Sequence, residues 1–145
     1  MEQINIRATE KSPEVFFDAQ SRKFEIVGNS RPENVRDFYM PVLEKLRRSF
    51  EGFVSQERDV KGFSGDPFKF IFKLDYFNSS SAKFISDMLL LIGNYNKKGL
   101  PVRIYWYYQE GDDDMMEVGE DFSEMIEVPF QMIMMKSGSN ESDRD

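Results

Sequence analysis

Residues 68–74, Phe-Lys-Phe-Ile-Phe-Lys-Leu, limit the possible folds more than any other stretch. Phe68, Phe70, Phe72 and Leu74 share one face of an extended chain, and Lys69, Ile71 and Lys73 share the other. A period of two is the signature of a strand, and a face this apolar must be covered. The following residues suggest the cover. Asn78-Ser79-Ser80-Ser81 is rich in helix-capping types. Ile85, Met88, Leu89 and Ile92 then recur at helical spacing, and Asn96-Lys97-Lys98-Gly99 is an ordinary helix end. Val102 to Tyr108 returns to period two, with Val102, Ile104, Trp106 and Tyr108 against Arg103, Tyr105 and Tyr107.

The flanks extend the same pattern. Ile4 and Ile6 alternate with Asn5 and Arg7, and Pro13 breaks that run. Val15-Phe16-Phe17 and Lys23 to Val27 read as two strands joined by a hairpin loop at 18–22, with Gly28-Asn29 ending the second. Ser30-Arg31-Pro32-Glu33 fits a helix start, with Ser30 as cap, Glu33 at the capping-box position and Pro32 in the first turn. Val35, Phe38, Val42, Leu46, Phe50 and Phe53 supply its stripe, and Pro41 inside it predicts a kink or a split. Ser55 to Pro67 reads as a loop. After a turn at Gly111 to Asp114, Asp114 with Glu117 predicts a capped third helix carrying Met115, Val118, Phe122 and Ile126. Pro129 stops it, and Phe130 to Met135 is a candidate last strand. The order predicts an α/β fold: a mixed central sheet with helices packed on it. One domain over 1–136 and a disordered acidic tail over 137–145 complete the expectation.

Composition excludes most chemistry. The 145 residues contain no Cys and no His. Thiolate nucleophiles, Ser-His-Asp triads and imidazole acid/base catalysis are therefore impossible. Zinc, haem and iron–sulfur sites lose their usual ligands. A net charge of −7 argues against nucleic acid, whose affinity comes from neutralised phosphates. No apolar run reaches the roughly 18–20 residues of a membrane span, and the start of the chain has no signal-peptide pattern. The expectation is a cytoplasmic protein with no cofactor and no membrane partner.

Three candidate sites remain. The Asn78–Ser81 cluster is either plain N-capping or a phosphoacceptor serine at a helix start. A phosphate there adds about −1.5 to −2 charges and is favoured by the helix dipole and the first-turn N–H groups. The acids Asp112, Asp113, Asp114, Glu117, Glu120, Asp121 and Glu124 are either a capped, solvated helix or a Mg²⁺ or Ca²⁺ site serving a metal-dependent enzyme, though their spacing matches no EF-hand loop. Tyr105 and Tyr107 are either a binding face or a sheet face covered by a helix. Outside these three, Met132, Met134 and Met135 are a weaker feature, an adaptable contact surface or core filler.

Several segments together resemble the SiaC family of bacterial regulatory phosphoproteins. They are Ser30 to Asn34 with Phe38-Tyr39-Met40-Pro41, Leu74 to Lys83, Val102 to Tyr108, Asp112 to Glu120, and Pro129-Phe130. The Tyr-x-Asn-[Ser/Thr]-Ser-Ser-x-Lys segment and the Trp-Tyr-Tyr segment, in this order, carry the specificity. The family looks like STAS domains, the fold of anti-sigma-factor antagonists, so the resemblance implies a single STAS-like domain. It implies that the acceptor is the residue after the motif Asn, here Ser79, where some relatives carry Thr. Asn78, Ser80, Ser81 and Lys83 would support that site or touch its partners. It further implies a protein kinase, a PP2C-like phosphatase and a diguanylate cyclase as partners. The unphosphorylated form would activate the cyclase, raising cyclic di-GMP and promoting aggregation and biofilm growth. Partner switching with another output is the alternative. The residues alone leave Ser79 and Ser80 both open as acceptor.

Overall fold

The computed structural model describes residues 3–56 and 66–136. The loop is predicted over Ser55 to Pro67, but Ser55 and Gln56 continue the helix that begins at Val35. Residues 57–65 of that loop and the predicted acidic tail at 137–145 lie outside the described residues. The elements are β1 (Gln3–Ile6), β2 (Glu14–Asp18), β3 (Lys23–Ser30), α1 (Val35–Gln56), β4 (Phe68–Phe77), α2 (Ser79–Lys97), β5 (Val102–Gln109), α3 (Asp113–Met125) and β6 (Phe130–Met135). The class is α/β, as the alternation predicts. The six strands form one sheet in the order β1-β2-β3-β4-β5-β6. β1, β2 and β3 pair antiparallel, and β3 through β6 pair parallel.

This strand order decides where the helices go. Parallel crossovers are right-handed, and here each moves one strand further in the same direction. All three helices therefore fall on one face. Burial agrees: Phe24, Ile26, Phe68, Phe70, Phe72, Ile104 and Trp106 are buried under them. Phe50 of α1 meets Phe68 and Phe70, and Phe122 of α3 meets Trp106 edge-on at 5.5 Å. The strand order never reverses, so the sheet lacks the crevice that such reversals open for nucleotides. The Tyr105/Tyr107 face is not covered by any described helix, contrary to the ordinary expectation for that strand. Its side chains are half-buried by cross-strand neighbours, with Lys73 over the Tyr107 ring at 4.6 Å.

The sequence misplaces three local features. Ser30 does not cap α1. It is the last residue of β3, paired with Phe77 beyond a register shift at Gly28/Asn29. Gly28 sits at φ 115, the left-handed conformation that lets the strand bulge and continue. Asn34 caps α1 instead, accepting from Asp37 N–H at 3.0 Å, and Glu33 faces Lys11 at 3.4 Å. Pro41 does not split α1. It lies on the exposed face with Asp37, so the carbonyl it leaves unpaired faces solvent. Asp112, not Asp114, caps α3, accepting from Met115 N–H at 3.1 Å. Ile126 lies just past that helix and is buried against Gly93 of α2. Elsewhere the predicted stripes hold: Ile85, Met88, Leu89 and Ile92 are fully buried.

Candidate functional site

The C-terminal ends of the parallel strands form one edge of the sheet, and all three helices begin there. β4 runs into α2 at Asn78, whose φ −81 and ψ 172 are extended. Its side-chain oxygen accepts from Ser81 N–H at 2.8 Å, so Asn78 is the N-cap. Ser79 and Ser80 are exposed, whereas Ser81 is fully buried. The first turn of α2 contains no acid. Its outermost amides have no partner within the helix, and the dipole is positive there. A dianion attached to this turn is therefore stabilised where a carboxylate neighbour would repel it. Lys83 stands one turn further along and pairs with Asp87 at 3.1 Å, its side chain 72% exposed.

Beneath the turn lies a feature that the sequence did not reveal. Tyr39 of α1, Ser30 of β3 and Ser81 of α2 are all 0% exposed and joined by hydrogen bonds. Ser30 Oγ donates to Ser81 Oγ at 2.9 Å, and Ser81 Oγ donates to the Ser30 carbonyl at 3.0 Å. Ser30 has one proton and gives it to Ser81, so in the 2.5 Å contact with Tyr39 the phenol is the donor. The chain runs Tyr39, Ser30 Oγ, Ser81 Oγ, Ser30 carbonyl, and it satisfies three hydroxyls that burial alone would penalise. The Ser30 carbonyl also accepts from Asn78 N–H at 3.1 Å. Burial pushes the Tyr39 phenol up from 10.0 to about 12, against the smaller lowering effect of its serine neighbours. Tyr39 therefore stays a donor at neutral pH. Its ring stacks on Phe84 of α2 at 5.7 Å and 5°. A tyrosine beside the apolar stripe of a helix is the available sequence signal, since a buried phenol needs a partner. The rest of the chain could not be read, because Ser30 is brought to Ser81 from 51 residues away.

The structure thus brings Asn78, Ser79, Ser80 and Ser81 into one turn, with Lys83 on the next. Asn78 and Ser81 point their polar atoms into the fold; Ser79, Ser80 and Lys83 face solvent. The acidic set does not converge. Asp112 is spent on capping, Asp113 and Asp114 are exposed in the first turn of α3, and no group of three potential metal ligands exists among the described residues. A concavity of about 610 Å³ lies beside the start of α1, between the Lys11–Glu33 pair and Phe38. Among the described residues no helix is long and apolar enough to cross a membrane.

Fold and site together define a class: a small α/β domain with helices on one face, presenting a helix-opening serine at its edge. The SiaC family regulatory phosphoprotein model matches residues 6–135, and the chain belongs to that family. An uncharacterised protein of Pseudomonas aeruginosa strain UCBPP-PA14 is 27% identical over 130 residues, 90% of this chain and 94% of its own. The crystal structure of apo-SiaC from Pseudomonas aeruginosa superposes with a TM-score of 0.76 at 26% identity, covering 92% of this chain and 99% of that one. A chain in the crystal structure of the diguanylate cyclase SiaD in complex with its activator SiaC, from the same organism, gives 0.78 at 26% identity, covering 91% and 99%.

Proposed function

We propose that this chain is a non-enzymatic activator of a diguanylate cyclase, acting in the cytoplasm and switched off by phosphorylation of Ser79. The exposed Ser79 hydroxyl, at the first position of a helix whose opening turn has no acid, carries the reading. The relative SiaC is an activator bound to the cyclase SiaD. The absence of Cys and His, and a site built from a cap and buried hydroxyls, favour docking over catalysis.

A protein kinase would supply the phosphate. The Ser79 oxygen bonds to the γ-phosphorus of ATP, the bond to the bridging oxygen breaks, ADP leaves, and a base on the kinase takes the hydroxyl proton. A PP2C-like phosphatase would reverse the modification by hydrolysis, releasing inorganic phosphate. The modified helix keeps its shape, because the dianion sits where helix N-termini favour anions. Its outer surface changes sign. A cyclase surface fitted to neutral Ser79 must then desolvate about two negative charges, which costs a few kcal/mol in a buried interface. Lys83, one turn along and paired with Asp87, would exchange that carboxylate for the phosphate and hold it against the helix.

Peptide mass spectrometry on the protein from its native host tests the modification. A single phosphate on Ser79, removed by phosphatase treatment, is the expected result. A chain free of phosphate at 79 and 80 in every growth state, and refractory to the host's kinases, would refute it.

A further inference from the structure

The phosphoswitch reading leaves one question open at its own site. Ser79, Ser80 and Ser81 are consecutive, and chemically any of them can take a phosphate. Burial removes Ser81. Ser79 and Ser80 are both exposed, and among the described residues neither hydroxyl is held by a hydrogen bond.

We propose that the buried hydroxyl chain of Tyr39, Ser30 and Ser81 selects the acceptor, by holding the first turn of α2 in one rotational setting that presents Ser79 and turns Ser80 aside. This inference rests on that reading and adds three positioning residues to it. The turn is tied to one residue through two routes. Asn78 N–H reaches the Ser30 carbonyl at 3.1 Å, and the Ser81 hydroxyl reaches the same carbonyl at 3.0 Å. Ser81 N–H closes the loop onto the Asn78 side chain at 2.8 Å. Tyr39, wedged against Phe84 of the same helix, fixes the Ser30 hydroxyl from α1. The turn therefore cannot roll without breaking buried hydrogen bonds.

Helix geometry converts this into a choice. Successive side chains are rotated by about 100°. With Ser81 locked toward the sheet, Ser80 lies about 100° round the axis and Ser79 about 200°. Ser79 therefore points almost directly away from the sheet, while Ser80 lies along the flank. Phosphoryl transfer needs the attacking oxygen in line and within about 3–3.5 Å of the phosphorus. A kinase docked on this edge that meets Ser79 in line does not meet Ser80.

The test is the ratio of Ser79-phosphate to Ser80-phosphate, read by fragment-ion mass spectrometry on protein expressed in the native host. In the unaltered chain Ser79 carries nearly all of the phosphate. Ser81→Ala removes the hydroxyl route and leaves only the backbone tie of Asn78 to Ser30. The turn loosens, and the Ser80 share rises by up to about an order of magnitude, the effect of one buried hydrogen bond on an equilibrium. Tyr39→Phe, which keeps the ring and its stacking, moves the ratio the same way and serves if Ser81→Ala fails to fold. Ile92→Val, deep under α2 and away from the turn, lowers the melting temperature without changing the ratio. A ratio unchanged in both hydroxyl variants overturns the inference alone, as does an equal shift in Ile92→Val. An unaltered chain with no phosphate on either serine overturns the inference and the phosphoswitch together.

Discussion

Replacing Tyr39 with Phe separates the energetic role of the phenol from that of the ring, and the structure supplies both magnitude and sign. At neutral pH the change removes only the donor to Ser30 Oγ. Losing one buried hydrogen bond of this kind costs about 1–1.5 kcal/mol. Raising the pH erases that difference. An unfolded tyrosine ionises near 10.0, whereas buried Tyr39 holds its proton to about 12. Between those values the unfolded chain has released a proton that the folded chain retains, so rising pH favours unfolding. The stabilisation is intact below pH 10 and is lost as pH climbs through the folded value. The full loss is on the order of 3 kcal/mol, and about half has gone by pH 11. The unaltered chain and Tyr39→Phe should therefore differ by about 1 kcal/mol at neutral pH and converge near pH 11. Urea unfolding of both proteins from neutral pH to about pH 11.5 measures this, because every other titrating group is shared and cancels. A difference that stays constant across the range would refute the buried-donor account. So would a Tyr39→Phe protein as stable as the unaltered chain at neutral pH.

Two further substitutions test the frame around the site. Gly119 of α3 packs on Trp106, where an added Cβ would lie 2.4 Å from the indole Cδ1. Gly119→Ala should destabilise the protein by about 1–3 kcal/mol despite better helix propensity, and a raised melting temperature would contradict that packing. Asn78→Ala removes the cap of α2 and should cost about 1 kcal/mol, with faster amide exchange confined to the first turn; unchanged exchange there would show that the cap is not the anchor.

Legibility from sequence followed the range of the forces involved. The β4–α2–β5 run was readable because period two, a capping cluster and period 3.6 are all local signals. The start of α1 was misread because Ser30-Arg31-Pro32-Glu33 satisfies every local rule for a capping box. What overrides it is tertiary: β3 bulges at Gly28 and stays paired with β4 as far as Ser30. Asp112, Asp113 and Asp114 are equally good caps in isolation, and the turn at Gly111, with φ 90, settles the choice on Asp112. The uncovered Tyr105/Tyr107 face depends on a strand order that never reverses, a property of the whole sheet. The serine cluster was visible in the sequence, but its division into two exposed hydroxyls and one buried was not. That division depends on Ser30 and Tyr39, residues from two other elements.

The central claim concerns the charge on Ser79, and the most direct measurement is cyclic di-GMP synthesis by the proposed partner, a diguanylate cyclase. It should be assayed with this chain unmodified, fully phosphorylated, and as Ser79→Ala and Ser79→Asp, with binding measured alongside. The account predicts that the unmodified chain and Ser79→Ala bind and activate, while the phosphorylated chain and Ser79→Asp bind at least tenfold more weakly, the equivalent of about 1.4 kcal/mol, and leave the cyclase idle. Equal activation by the phosphorylated and unmodified chains would contradict it.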